Sequence, residues 1–340
     1  MTHRTRSFRF LFALLLLKTV SQVLLYRHGL LSLSADEYAR GIVAATWAAN
    51  PRIDLLADLQ AVWLPLEKYL NGLALIVWPD VILAPRLTVF LASCVTLVMF
   101  FLLTRRLFAD FAIAALSTLL VALLPWFAWL SGTPMLEMYF FACFFAGLFF
   151  LVVWLQEERR AAWLWAGACF LLASGFHVQS WPLINLVNLL TLPFLWRFAR
   201  QRAWRRALRL LGFYLLGNAL ILGFTLLEFA LTGELFAFLS SHTAYSLWYY
   251  GGYDVPPLEK FLYYPRQIVD NAHAGYWLGL PIALLFLWRD PNRGWKLLPL
   301  ALTAVSLLLF SSMNVLSGPP SAAPARYSLF YLMLLTPYLA

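Results

Sequence analysis

Apolar runs of membrane-spanning length recur along almost the whole of the 340-residue chain, and this limits its fold more than any other feature. A helix needs about 20 apolar residues to cross the hydrocarbon core of a bilayer. Runs of that length or somewhat shorter fall at about Phe10–Tyr26, Pro85–Thr104, Phe111–Leu130, Met135–Leu155 and Ala162–Phe176. Others follow at about Trp181–Trp196, Leu208–Ala230, Tyr276–Trp288, Leu297–Met313 and Ser328 to the last residue. Hydrophobic residues make up 62% of the chain and charged residues only 12%, which leaves no room for a sizeable soluble domain and excludes disorder. A transmembrane β-barrel would show short alternating segments instead. The expected architecture is all-α: a single polytopic transmembrane helix bundle of about ten spans over residues 1–340.

The first run follows Arg4, Arg6 and Arg9. The small-x-small sequence Ser32-Leu33-Ser34 lacks the alanines of a good cleavage site, so the run reads as a retained first span. Lys18 inside it is costly in lipid and should face protein or snorkel. Cys94, Cys143 and Cys169 all lie within apolar runs without metal-ligand spacing, and read as small core or lipid-facing residues.

The net charge of +9 takes its meaning from topology. With the N-terminus in the cytoplasm, the alternating loops place sixteen basic residues and four acids inside, against eight basic residues and eleven acids outside. That asymmetry obeys the positive-inside rule. No outside basic patch remains to bind a phosphate backbone, so nucleic acid is not an expected partner.

The polar chemistry collects on the outside face. The first outside loop, residues 27–84, contains Ser34-Ala35-Asp36-Glu37-Tyr38-Ala39-Arg40. Ser34 suits an N-cap, and Asp36 and Glu37 then sit in the first helical turn, where the helix dipole favours them. An amphipathic helix over about Asp36–Ala49 should end at Asn50-Pro51, and a second one should run over about Leu55–Val77, broken by Trp63-Leu64-Pro65-Leu66. Helices of this kind lie in the membrane interface. Ser131-Gly132-Thr133-Pro134-Met135-Leu136-Glu137 joins two spans and leaves Glu137 just inside an apolar run, a place for a carboxylate that faces a polar cavity. Gly175-Phe176-His177-Val178-Gln179-Ser180-Trp181-Pro182 forms another polar cluster. The second long outside loop, residues 231–275, is rich in tyrosine and tryptophan and carries Lys260 and Arg266. Its aromatics suit the headgroup level, as a plain belt or as a membrane-lying lid. Finally, Pro324-Ala325-Arg326-Tyr327 puts an arginine on the outside at the start of the last span, where an anionic partner such as a lipid phosphate would hold it.

The order and placement of these motifs resemble the GT-C superfamily of integral-membrane glycosyltransferases, and most nearly its branch of protein mannosyltransferases and lipid A aminoarabinose transferases. The resemblance runs from Ser34 to Ala340. It rests on the Asp-Glu-Tyr motif, the Trp63–Leu66 segment, the Ser131–Glu137 loop, the His177 cluster and Arg326-Tyr327. The long extramembrane domains of several relatives are missing, and the chain ends inside an apolar run where relatives continue, so against the resemblance it reads as a C-terminally truncated fragment or as an unusually short member.

The resemblance implies an enzyme of a bacterial inner membrane that moves a sugar from a polyprenyl-phosphate donor to a hydroxyl on a lipid, glycan or protein acceptor. Asp36 matches the family's first-loop aspartate and would be the general base that a weakly nucleophilic hydroxyl needs. Glu37 and Glu137 are further catalytic candidates, with Glu137 orienting hydroxyls. Arg326 is the first candidate for the donor phosphate, with Tyr327 and His177 beside it and Arg266 and Lys260 as second choices. No nucleotide-binding motif is present. No cofactor is required; a divalent metal is compatible with Asp36, Glu37 and Glu137, though their spacing does not demand one. The competing expectation is a polytopic transporter or lipid flippase without glycosyl transfer. That class predicts internal repeats with paired broken helices, and no convincing half-to-half similarity is found.

Overall fold

The computed structural model describes residues 3–29, 34–54, 58, 61, 63–235, 255–316 and 325–340. Among these it contains fourteen α-helices and no strand. They are α1 (His3–Arg27), α2 (Ala35–Ala49), α3 (Leu66–Val77), α4 (Leu83–Phe108), α5 (Phe111–Leu123), α6 (Pro125–Leu130) and α7 (Glu137–Glu157). The second half supplies α8 (Ala162–Phe176), α9 (Ser180–Arg200), α10 (Trp204–Thr232), α11 (Pro257–Asn271), α12 (Ala274–Arg289), α13 (Leu298–Leu316) and α14 (Ser328–Leu335). This is an all-α polytopic bundle of an integral membrane protein.

Among the described residues, six helical segments are long and apolar enough to cross a membrane: Thr5–Arg27 in α1, then α4, α7, α9, α10, and Trp295–Leu316 around α13. The other expected spans are shorter helices. α5, α8 and α12 have 13, 15 and 16 residues. The expected third span breaks in two, because Pro125 cannot continue α5 and instead opens α6 as its first residue. The run from Ser328 yields the eight-residue α14, about 12 Å long at 1.5 Å per residue, and every one of its side chains is buried.

α7 is the central helix. In its most apolar stretch 78% of residues are buried, against 17% for the first span, whose outer face is lipid-facing. α7 packs along α4 on one side and α8 on the other, and α8 packs in turn on α10. Lipid is as apolar as leucine, so association here comes from close packing rather than from escape from water. Phe140, Phe141, Phe144 and Phe145 supply that packing against Phe330 of α14, while Phe100 and Phe170 join from α4 and α8. Each well-placed aromatic pair adds about 0.5–1.5 kcal/mol beyond simple burial. Gly147 lets α8 approach: a Cβ there would meet the Phe170 ring at 2.7 Å.

Lys18 faces protein, as its cost in lipid requires; it is buried with its ammonium 4.9 Å from the Phe127 ring centre and 5.6 Å from that of Phe90. The three cysteines are free.

In the first loop, α2 begins and ends where its signals lie. Ser34 has extended backbone and its hydroxyl accepts from the Asp36 N–H, and Asn50 terminates the helix. The second stretch is broken within the expected Trp63–Leu66 segment: α3 starts at Leu66 with Pro65 as its N-cap, and of the part before the break only Asp58, which is helical, and Ala61 are described. Residues 55–57, 59, 60 and 62 lie outside the described part, and Trp63 and Leu64 are not helical. α2 packs on α3, and α3 on α4. Gly72 permits the first contact, since a Cβ there would meet the Trp47 ring at 2.2 Å.

Candidate active site

The N-terminal turn of α2, the start of α7, the end of α8 and the turn before α14 meet at one end of the bundle. α2 turns Glu37, Arg40 and Ala44 inward, a stripe at helical spacing, and leaves Asp36 at its margin. Glu137 is the first residue of α7, where the helix dipole favours a carboxylate. Arg326 sits in the short 3-10 turn Ala325–Tyr327.

Arg326 is the hub. Its Nε lies 2.6 Å from Glu137 Oε1, and its Nη2 lies 3.3 Å from Asp36 Oδ2. The Glu137 side chain is 2% exposed, that of Arg326 10% and that of Asp36 40%. Burial opposes the guanidinium's charge, but Glu137, Tyr327 and Asp36 outweigh it and raise the proton affinity of Arg326 above its ordinary value. Arg326 also lies over the Tyr327 ring, 5.5 Å from its centre. The His177 ring meets that of Tyr327 edge-on at 5.4 Å, and His177 Nδ1 accepts from the Gln179 N–H. Five of the eight residues expected at the site therefore converge: Asp36, Glu137, His177, Arg326 and Tyr327.

Glu37 points elsewhere. Its carboxylate lies 3.8 Å from Arg86 Nη2 at the start of α4, and both side chains are buried. A neighbour on a helix is turned by about 100°, which separates the roles of Asp36 and Glu37. Lys260 and Arg266 lie on α11, which packs against α13 and α14; among the described residues neither forms an ion pair with the Arg326 cluster. The aromatic residues 236–254 lie outside the described part. The three carboxylates considered for a metal do not converge. Asp36 and Glu137 turn to Arg326 and Glu37 to Arg86, and among the described residues no group of three or more His, Cys, Asp or Glu side chains is placed to hold an ion.

A second polar network lies beside the first and was not singled out from sequence. Arg40 Nη1 donates to Glu67 Oε2 at 2.8 Å, with both side chains buried, and Asn71 Nδ2 donates to Glu67 Oε1 at 2.9 Å. Asn71 Oδ1 accepts from the hydroxyls of Thr88 and Tyr139, each at 2.6 Å. The chain of contacts ties α2 to α3, α4 and α7. Burial pushes the Glu67 carboxyl above its usual range, and Arg40 and Asn71 oppose this only in part. Arg40 also stacks 4.4 Å above the Trp63 ring centre. Arg40, Trp63, Glu67 and Lys68 line a cavity of about 290 Å³, and Lys68 and the Tyr69 hydroxyl both reach Asp58. Signals for this network existed: Arg40 stands one helical turn after Asp36, and Glu67-Lys68 directly follows the Trp63–Leu66 motif.

No family model matches the sequence, and no curated protein is similar to it. Among solved structures, ArnT from Cupriavidus metallidurans bound to undecaprenyl phosphate superposes with a TM-score of 0.65 over 99% of this chain, at 15% identity. The chain has the fold of ArnT. It spans 60% of the ArnT chain.

Proposed function

We propose that this chain is a membrane glycosyltransferase that moves a sugar from a polyprenyl-phosphate donor to an acceptor hydroxyl. The observation that carries the reading is Arg326, a mostly buried guanidinium held between the buried carboxylate of Glu137 and the part-exposed carboxylate of Asp36. Such a site offers a cation for a lipid phosphate and, within reach of it, a carboxylate open to an incoming hydroxyl. The ArnT structure, with the same fold, holds undecaprenyl phosphate.

In the proposed step the acceptor oxygen attacks the anomeric carbon of the donor sugar. The bond from that carbon to the phosphate oxygen breaks, and its electron pair leaves with the polyprenyl phosphate. The acceptor proton passes to Asp36. Phosphate is a good leaving group, so no acid need protonate it, unlike the leaving group of glycoside hydrolysis. Arg326 stabilises the charge that develops on it. Direct displacement inverts the anomeric configuration. Glu137 fixes Arg326, and His177 and Tyr327 form the adjoining wall against which sugar hydroxyls are oriented. The charge asymmetry of the loops supports a site on the non-cytoplasmic face of a bacterial inner membrane, with the N-terminus in the cytoplasm.

The test is to offer the chain, reconstituted in liposomes, a panel of polyprenyl-phosphate sugars together with lipid, glycan and protein acceptors. Release of polyprenyl phosphate with transfer of the sugar is the expected result. Movement of a lipid-linked sugar between leaflets with no cleavage would favour the transporter class instead.

A further inference from the structure

We infer that Asp36 is the exchangeable counter-ion of Arg326, and that the donor phosphate displaces it, so that donor binding itself releases the base. This rests on the transferase reading given above. The two carboxylate partners of Arg326 differ in every respect that matters to exchange. Glu137 is closer, at 2.6 Å, and its side chain is enclosed in the first turn of the central helix. Removing it from Arg326 would strand a buried charge. Asp36 is farther, at 3.3 Å, and far more exposed, so it loses its partner at small cost because water can solvate it.

The donor phosphate is a diester with one negative charge, like Asp36, so position decides the exchange: Asp36 holds Arg326 by one long contact at 3.3 Å, and the two unesterified phosphate oxygens can accept from two N–H groups at once. The helix that carries Asp36 does not need to move for the exchange. Glu37 fixes α2 to Arg86 of α4, and Arg40 fixes it to Glu67 of α3. Only the Asp36 side chain has to turn. While paired, Asp36 has Oδ2 turned to Arg326. Once displaced, both its oxygens can receive the acceptor hydroxyl. The site therefore orders its own events: the phosphate is seated first, and only then does an incoming hydroxyl meet an active base.

Two measurements on the full chain test this, with undecaprenyl phosphate as the probe. The first is its affinity for the wild type and for Asp36→Asn. The variant should bind about two- to fivefold more tightly, the range of a part-exposed ion pair, while sugar transfer falls. The gain should vanish when Arg326→Gln is added. A merely structural role for Asp36 would lower binding and transfer together. The second is a structure of the wild-type chain with undecaprenyl phosphate. It should show phosphate oxygens on Arg326, Asp36 moved beyond about 4 Å from the guanidinium, and Glu137 still in place. Phosphate on Arg326 with Asp36 unmoved, or unchanged or weaker binding by Asp36→Asn, would overturn the exchange and leave the transferase reading standing. Phosphate bound away from Arg326 would overturn the exchange and move the phosphate site off Arg326.

Discussion

Arg326 and Glu137 form a buried ion pair, Nε to Oε1 at 2.6 Å, between the turn that precedes α14 and the first residue of α7. The pair joins the late part of the chain to the central helix at the place where Asp36 also arrives. Neither residue is near the other in sequence, so the site exists only in the folded bundle.

Breaking that pair from one side should destabilise the protein. Removing one partner of a buried ion pair costs about 3–5 kcal/mol, because the other charge is left without compensation. Arg326→Met should therefore lower the unfolding temperature in detergent, and Arg326→Met with Glu137→Gln should recover much of the loss without restoring transfer. A double variant as unstable as the single one would mean that the pair is not what holds these elements together.

Glu37→Gln should act on the fold more than on the chemistry. Glu37 faces Arg86, not Arg326, so its loss loosens the anchorage of α2 to α4. Thermal stability should fall, while transfer per folded molecule should drop by less than about tenfold, below the smallest usual contribution of a general base. A fall of several hundredfold at full stability would assign Glu37 a place in the reaction.

Much of this was legible in the sequence, and the reason is locality. The cap at Ser34, the acidic first turn of α2 and the stop at Asn50-Pro51 depend on neighbours a few residues apart, and all lie where the motifs put them. The long apolar runs give the helices, and prolines mark their breaks: Pro125 splits the expected third span, and Pro65 stands at the break before α3. Partner choice was not legible. Arginines and lysines of the loops look alike in sequence, and only the packing shows that Arg326 meets Asp36 and Glu137, Arg86 meets Glu37 and Arg40 meets Glu67, while Lys260 and Arg266 remain on α11. Lys260 and Arg266 stand in an aromatic-rich loop, a feature that says nothing about which carboxylate lies opposite.

That difference makes a direct comparison. Arg266→Ala and Lys260→Ala should change transfer by no more than about twofold, since among the described residues neither pairs with the Arg326 cluster. Arg326→Ala should impair both donor binding and turnover, since it loses a charged partner of the phosphate in ground and transition states alike. Losses at Arg266 equal to those at Arg326 would move the phosphate site to α11.

Glu67 gives a pH signature. Its carboxyl is raised above the ordinary 4.5, with burial as the largest cause. The folded state thus holds its proton more tightly than the unfolded state does. The contribution of Glu67 to stability is full below about pH 4.5 and is lost as pH rises through the raised folded value. Glu67→Gln cannot ionise, so its unfolding temperature relative to wild type should improve as pH rises from 4 to 8, a window bracketing the ordinary carboxyl range upward. A difference that stays constant over that window would show that Glu67 does not titrate with folding.

The central claim is that Asp36 is the base of a sugar transfer organised around Arg326. Its most direct test is the rate of transfer from a polyprenyl-phosphate sugar by Asp36→Asn, measured in liposomes with folding checked separately. A positioned base contributes about 10²–10⁴-fold, so transfer should fall by that order while the protein stays folded and still binds polyprenyl phosphate. Transfer close to the wild-type rate in a folded Asp36→Asn protein would contradict the account.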